Sequence, residues 1–178
     1  RTQLVTPASQ ESRQQALLAV AHELSRAENM EQLLDQILEC SREVMDCEVC
    51  SVLLPDPDSG DLMIRSTLTK NSSEPVRVPR GKGIASVVFE TKEPINLADA
   101  QNDPRHYTQS GLVAHALLTI PLLEGDEALG AMQAINCHHR AEFDEADIEM
   151  FETFGALIAV TLIRLESHRL AIADAEFH

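Results

Sequence analysis

Apolar residues recur at intervals of three and four near both ends of the chain, and this spacing is typical of amphipathic helices. The pattern predicts a first helix over residues 10–26. A second helix is expected from Met30 to Met45, because Asn29 precedes it as a capping residue and its apolar positions share one side. A last helix is predicted from Asp144 to beyond Leu170. Helices are therefore expected on both sides of the central part of the sequence.

The central part contains short apolar stretches that are separated by turn-forming residues, as expected of β-strands. Two of these pairs read as hairpins, one turning at residues 55–60 and the other at residues 124–126. Hairpins between terminal helices predict an α+β domain built around an antiparallel sheet. The strands are expected at residues 47–54, 61–68, 75–78, 94–97, 117–123 and 128–136, with a short helix at 84–91.

Residues 98–113 form a long polar stretch without helical or strand periodicity. Segments of this kind more often cover a binding site than fill a core. Asp103 stands before Pro104 and is expected to start a turn. His106 and His115 are the histidines in or next to this stretch, and a surface position is expected for both.

Charge and composition narrow the classes of partner. The chain has 178 residues, enough for one domain, and a formal net charge of −15 from 29 acidic and 14 basic side chains. This field disfavours binding to nucleic acid or to anionic membranes. No apolar run is long enough to span a bilayer, so a cytoplasmic protein is expected. The first residue is Arg1, which suggests a segment of a longer protein.

Cysteine and histidine spacing offers a metal or redox alternative. Cys47 and Cys50 are three apart, and Cys137 is followed by two histidines. Because alternate residues of a strand point to opposite faces, the first two thiols are expected to diverge, so no metal site and no cofactor are predicted. A sensor that uses cysteine and histidine for redox or metal chemistry stays open as an alternative.

Three stretches of the sequence resemble the GAF domain, a small-molecule-sensing module of cyclic-nucleotide phosphodiesterases, adenylyl cyclases and bacterial signalling proteins. "CSVLLPDPDSGDL" is similar to the first hairpin of that family, and "LLTIPLLEGDEALGAMQAIN" to its penultimate hairpin. Between them, "VPRGKGIASVVFETKEPINLADAQNDPRH" is similar to the family pattern G-x-G-I-A-G-x-V followed by N-x-x-D-A-x-x-D-P-R-F. The order and spacing of the three stretches identify the fold.

The resemblance implies a central antiparallel sheet of about six strands, with the terminal helices on one face and a ligand pocket on the other. It divides the chain into an N-terminal dimerisation or linker helix at residues 1–28, a GAF domain at 29–165 and a helical extension at 166–178. In relatives that bind cyclic nucleotides, the amides after the glycine turn meet a cyclic phosphate. The ligand-binding residues predicted on this basis are Ser51, Ile84, Ala85, Ser86, Asp99, Asp103, Tyr107 and Gln133.

Departures from the family pattern bear on the ligand and on catalysis. The lysine of the signature N-K-x-F-x-x-x-D-E is replaced by Cys137, so the usual lysine–aspartate pair is absent, although Arg140 is placed to reach Asp147. Cyclic nucleotides are therefore one candidate among several. Enzymatic relatives that reduce free methionine sulfoxide use pocket-loop cysteines, and residues 98–113 contain none. No enzyme activity is predicted.

The last helix carries an apolar seam that continues beyond the length a sheet can cover, which favours a homodimer through the terminal helices. The function predicted is that of a noncatalytic, dimeric sensory domain of a larger signalling protein, which transmits ligand binding to an output domain through these helices. A ligand-free dimerisation spacer is the alternative. The predicted interface residues are Leu17, Leu24, Ile158, Leu162 and Leu165.

Overall fold

The computed structural model describes residues 11, 13–19, 22, 29–68, 76–107 and 112–176. Helix α1 spans Met30–Met45, as predicted. It is the first helix of which the structure describes both ends. Asn29 has an extended backbone, and its side chain accepts hydrogen bonds from the backbone N–H groups of Glu31 and Gln32, each at 3.1 Å. The helix ends at Asp46, which adopts a left-handed conformation with φ 51°. The residues described at 11, 13–19 and 22 are also helical.

Six antiparallel strands form one sheet in the order β3-β2-β1-β6-β5-β4. The longest strands, β1, β5 and β6, lie side by side at its centre. The α+β architecture is confirmed, with boundary differences such as β2 ending at Ser66 instead of Leu68. The elements after α1 are β1 (Cys47–Pro55), β2 (Leu62–Ser66), β3 (Val76–Val78), α2 (Gly83–Thr91), β4 (Ile95–Leu97), a 3₁₀ turn (Ala100–Asn102), β5 (Leu117–Glu124), β6 (Glu127–Cys137) and α3 (Glu145–Glu176).

Each face of the sheet has its own apolar core. The helix-side core consists of α1 and α3 packed on the sheet, and includes three buried phenylalanines: Phe143, Phe151 and Phe154. The pocket-side core joins α2 to the opposite face of the sheet. Alternation along β6 illustrates the division, because Met132 belongs to the helix-side core and Ile135 to the pocket-side core. The predicted placement of the terminal helices on one face is confirmed for the described residues.

The first half of α3 packs on the protein's own sheet. Ile158 is fully buried in the helix-side core and has no surface left for a partner, which corrects its assignment to a dimer interface. Leu162 and Leu165 are half-buried, and Leu17 is half-buried against the same core. Leu24 lies outside the described residues. From residue 166 to residue 176 the helix is exposed along its whole length.

A buried carboxylate fixes the start of α3. Asp147 is 1% exposed, and Arg140 donates two hydrogen bonds to it, one of them at 2.9 Å. The backbone N–H of Asp144 donates to Asp147 at 2.9 Å, and the backbone N–H of Asp147 donates to the Asp144 carboxylate at 2.8 Å. Arg13 contacts the same carboxylate at 3.8 Å. The contact between Arg140 and Asp147 that the sequence suggested is confirmed.

Candidate functional site

A cavity of about 70 Å³ lies on the face of the sheet opposite the terminal helices. Its walls come from the pocket-side face of the sheet, the start of α2 and the covering segment, which we define as residues 98–107 and 112–116. Most of the lining is apolar, with a few polar groups from three different elements. The lining residues are Leu53, Ile64, Val78, Lys82, Gly83, Ile84, Ala85, His106, Tyr107, Leu112, Ala114, Leu117, Gln133 and Ile135.

The start of α2 lies at the cavity because of two glycines. Gly81 and Gly83 have φ values of 78° and 83°, a region that glycine enters without steric cost. A Cβ on Gly83 would come within 3.1 Å of the Cβ of Tyr107, so the covering segment approaches here closely. No side chain caps the helix start, and the Ser86 hydroxyl donates to the carbonyl of Lys82 at 2.6 Å. Ser86 therefore tightens the first turn of α2 instead of pointing into the cavity.

Gln133 forms the polar part of the sheet wall. It lies in β6 between Ser51 of β1 and Thr119 of β5, and its side-chain amide donates to the Thr119 hydroxyl at 3.1 Å. This hydrogen bond holds the amide group in position across the sheet. The second amide hydrogen and the lone pairs of the carbonyl oxygen can serve a ligand.

The two ends of the covering segment are joined to each other. The backbone N–H of Ala100 donates to the carbonyl of His115, and that of Gln101 donates to the carbonyl of Ala114, both at 2.8 Å. The Gln101 side chain accepts a further hydrogen bond from the N–H of Ala114 at 3.3 Å. The segment is therefore closed at its base, with residues 103–107 between the two ends.

Asn136 anchors the far end of the covering segment to the sheet. Its backbone adopts a left-handed conformation with φ 61°, which is uncommon for a residue other than glycine. Its side chain accepts from the N–H of His115 at 2.7 Å and donates to the carbonyl of Val113 at 2.8 Å and to Glu48 at 2.9 Å. The sequence showed Asn136 only as part of a family signature, without this role.

The predicted turn at Asp103 is present. Its carboxylate accepts hydrogen bonds from the guanidinium of Arg105, two at 3.0 Å, and from the backbone N–H of Arg105 at 2.8 Å. These hydrogen bonds, the side-chain ones first, lower the pKa of Asp103 to about 2. The backbone N–H of His106 donates to the carbonyl of Asp103 at 3.0 Å, and this turn directs the imidazole of His106 to the cavity wall.

The structure brings four of the eight predicted ligand-binding residues to the cavity, namely Ile84, Ala85, Tyr107 and Gln133. Ser51 is buried beside Gln133 and Ser86 is buried in α2, but neither lines the wall. Asp99 accepts a hydrogen bond from Asn102, and Asp103 binds Arg105, so both carboxylates are engaged within the covering segment. These last four residues therefore lie outside the lining, and their role in ligand binding stays a prediction.

His106 is the residue that the sequence analysis missed. It was expected at the surface, yet its Nε2 atom is buried and has no hydrogen-bond partner among the described residues. Buried polar atoms in proteins are nearly always paired, so such an atom indicates a site for a partner. The signal available in the sequence was the turn-forming Asp103-Pro104 directly before it, which fixes its direction.

The cysteines differ from their predicted geometry. Cys47 Sγ lies 3.6 Å from Cys50 Sγ, so the expectation that the two thiols diverge is wrong. Cys47 directly follows the left-handed Asp46 and is the first residue of β1, where the alternation of a regular strand begins. Burial raises the pKa of Cys50 well above its ordinary value. No group of three or more potential metal ligands occurs in the part of the chain that the structure describes.

We expect Cys137 to react slowly in the folded protein. Burial raises the pKa of its thiol to about 11, so the reactive thiolate at neutral pH is roughly a hundred-fold scarcer than for an ordinary cysteine. Alkylation by iodoacetamide, followed by mass spectrometry in buffer and in urea, measures this difference. Equal modification rates of Cys137 in the two conditions would contradict the expectation and would favour a redox role.

The fold that encloses this cavity has counterparts among known proteins. The sequence model of the GAF domain matches residues 29–162. The chain belongs to the GAF domain family. GAF domains are in general regulatory sensor modules that bind small molecules. Among the described residues, no helix combines the length and the apolar character that crossing a bilayer requires.

Relatives of this GAF domain include large enzymes that contain a similar region. The cGMP-specific 3′,5′-cyclic phosphodiesterase of Drosophila melanogaster is 35% identical over 118 residues, which is 62% of this chain and 10% of the relative. The protein of the same name from Drosophila mojavensis is 34% identical over 118 residues, with the same coverage. The chain thus spans about a tenth of the length of these relatives.

Solved structures share the fold at low sequence identity. The GAF domain of an Acinetobacter phosphoenolpyruvate-protein phosphotransferase superposes with a TM-score of 0.77 at 18% identity, covering 88% of this chain and 95% of that one. The free methionine-R-sulfoxide reductase of Neisseria meningitidis, solved with its substrate, gives a TM-score of 0.73 at 17% identity and covers 94% and 96%. At these identities the likeness concerns the fold alone.

Proposed function

We propose that this GAF domain is a sensory module that binds a small molecule in the cavity beneath the covering segment. The proposal rests on two polar groups of the wall. The amide of Gln133 is held in place by Thr119, and the buried Nε2 of His106 has no hydrogen-bond partner in the described part of the chain. The remaining lining is mostly apolar. A few fixed polar groups in an apolar cavity are typical of small-molecule sites.

The composition of the wall supports binding without catalysis. Its described residues include neither a cysteine or serine to act as nucleophile nor a carboxylate to orient His106. Asp103, the acid nearest in sequence, is engaged with Arg105. Nucleophilic catalysis by a cysteine or serine requires such groups within hydrogen-bond reach of one another. We therefore propose a regulatory role for the chain and no reaction of its own.

We further propose that the domain acts as a homodimer and transmits ligand binding through its terminal helices. Exposed apolar residues continue along α3 where the sheet no longer covers it, with Leu170 at 59% and Ile172 at 48% exposure. Val160 on the same helix is 44% exposed, and Leu18 near the amino end is 70% exposed. A second copy would bury such surfaces. The output domain would follow outside this chain.

Cyclic nucleotides are candidate ligands because the Drosophila relatives are named as cGMP-specific 3′,5′-cyclic phosphodiesterases. The cavity of about 70 Å³ is much smaller than the 300–1,000 Å³ that is usual for ligand sites. A cyclic nucleotide would therefore bind only after the covering segment moves away from α2. The hydrogen bond between Ala100 and His115 would keep the two ends of the segment together during this movement.

Ligand-induced stabilisation tests the proposal. Thermal unfolding midpoints are measured with cGMP, cAMP, nucleotides and small metabolites, for the wild type, for Gln133→Leu and for the matched surface control Gln14→Leu, whose side chain is exposed. A ligand at a hundred times its Kd adds about 2.7 kcal/mol, or roughly 5–10 °C. We expect this shift in the wild type and the control, and its loss in Gln133→Leu. Absence of any shift in the wild type would favour the ligand-free spacer.

A further inference from the structure

We propose that the cavity binds a short-chain carboxylate, with its charged end at His106 and Lys82 and its alkyl end against the sheet. The inference rests on the proposed sensory function and names the ligand class of the same cavity. It follows from the size of the cavity and from the placement of its polar groups.

The size of the cavity limits the size of the ligand. The cavity of about 70 Å³ is far below the 300–1,000 Å³ that is usual for ligand sites, so only a small ligand fits in it. We propose a ligand of about four to six non-hydrogen atoms, which needs no movement of the walls. Acetate, propionate, butyrate and lactate lie in this range. Nucleotides, amino acids with large side chains and aromatic acids exceed it.

The charge of the side chains at the cavity limits the charge of the ligand. Lys82 is exposed at the cavity, and within the described residues its ammonium group has no carboxylate partner. This is a notable placement in a chain that has three lysines and a net charge of −15, where acidic neighbours are abundant. A lone cation at a cavity attracts an anion, and the acidic surface elsewhere repels one.

His106 and the start of α2 provide the hydrogen bonds for that anion. The buried Nε2 of His106 has no hydrogen-bond partner among the described residues, and it can donate a hydrogen bond to a carboxylate oxygen. Gly83, Ile84 and Ala85 at the first turn of α2 line the cavity, and no side chain caps this helix start. The free N–H groups of a helix start favour an anion through their partial positive charge. Lys82, His106 and the start of α2 thus give the lining three kinds of donor for an anion.

Apart from Gln133 and Tyr107, the rest of the wall suits an alkyl group. Leu53, Leu117 and Ile135 contribute aliphatic surface from three neighbouring strands, and Ala114 closes the side of the covering segment. None of the lining residues carries a carboxylate that would oppose the anion. Each buried methylene of the ligand is expected to add about four-fold in affinity until the cavity is full.

Calorimetric titration of the whole chain at neutral pH tests the inference, with sodium acetate, propionate, butyrate and hexanoate at constant ionic strength set by NaCl. Propionamide, similar in size to propionate but uncharged, is the matched neutral probe. We expect affinity to rise from acetate to propionate or butyrate, to fall at hexanoate, and to be at least ten-fold weaker for propionamide than for propionate. A rise that continues through hexanoate, or equal binding of propionamide, would overturn the inference.

Variants locate the carboxylate. His106→Leu is expected to weaken propionate binding about ten-fold or more, since hydrogen bonds to charged groups have this magnitude. His106→Gln keeps a donor and is expected to restore part of the loss, and Lys82→Met is expected to weaken binding of the acid without changing that of the amide. His138→Leu, at an exposed position away from the cavity, is the matched control.

Two outcomes separate this inference from the proposed function. Binding of a cyclic nucleotide with no binding of any carboxylate would overturn the ligand class and leave the sensory role standing. Failure of every compound to bind would overturn both. Equal effects of His106→Leu and His138→Leu on propionate affinity would place the carboxylate elsewhere and would also overturn the inference.

Discussion

Replacing Gly130 by alanine is expected to destabilise the domain by about 3 kcal/mol or more. A Cβ at this position would lie 2.3 Å from the backbone carbonyl oxygen of Leu53 and 2.9 Å from a methyl group of Leu54. The carbonyl belongs to the central strand β1 and cannot move without disturbing the pairing of β1 with β6. The register irregularity of β5 at Leu122 and Leu123 lies beside the same glycine. Urea unfolding followed by circular dichroism measures the loss.

Gly155→Ala is the matched control for that substitution. Its Cβ would come within 2.8 Å of the terminal methyl group of Ile120, which is the free end of a side chain and can rotate away. Alanine also gains up to about 1 kcal/mol over glycine inside a helix. We therefore expect little net change for Gly155→Ala. Equal losses in the two variants would mean that the contact with the Leu53 carbonyl does not decide the stability.

Replacing Asp147 by alanine is expected to cost about 3 kcal/mol. The substitution removes the acceptor of two hydrogen bonds from Arg140 and of one from the backbone N–H of Asp144. This loss is at the lower end of the range for buried ion pairs, because the Arg140 side chain is 35% exposed and regains water. Thermal and urea unfolding of the single and double variants with Arg140→Ala give the coupling between the two side chains.

Asp144→Ala provides the comparison for this cluster. Among the described residues, its carboxylate accepts a hydrogen bond from the N–H of Asp147 and a longer one from Arg140 at 3.3 Å, and its side chain is 61% exposed. Loss of a helix cap of this kind costs about 1 kcal/mol.

Burial raises the pKa of Asp144, but the hydrogen bonds with Asp147 and the charge of Arg140 outweigh it, and the pKa lies below its ordinary value of 3.8. Its stabilisation is therefore present at neutral pH and is lost as the pH falls below that value.

The sequence was sufficient for the elements with strong local signals. Asn29 before an amphipathic stretch predicted the bounds of α1, because a cap and a periodic pattern act within one turn of helix. The glycines at positions 81 and 83 indicated the start of α2 for the same local reason. The face of the sheet that carries Gln133 followed from strand alternation and from the family resemblance.

Features that depend on distant parts of the chain were harder to predict. The helical periodicity shows that α3 has an apolar side that includes Ile158. It does not show whether the sheet of the same chain or a partner covers that side. The direction of His106 depends on how the covering segment folds back on α2, a contact between residues more than twenty positions apart in sequence. Ser86 and Asp103 lie close in sequence to residues that line the cavity, but their side chains form local hydrogen bonds with Lys82 and Arg105 instead.

The exposed end of α3 has a mechanical consequence. Residues 166–176 continue the helix by roughly 16 Å beyond the packed part, at 1.5 Å per residue. A rigid rod of this length works as a lever arm, so a tilt of about 10° at its root would displace the tip by approximately 3 Å. Strand β6 contacts the helix-side core through Met132 and carries Gln133 on the other face. Small adjustments of that one strand would therefore be magnified at the far end of the helix.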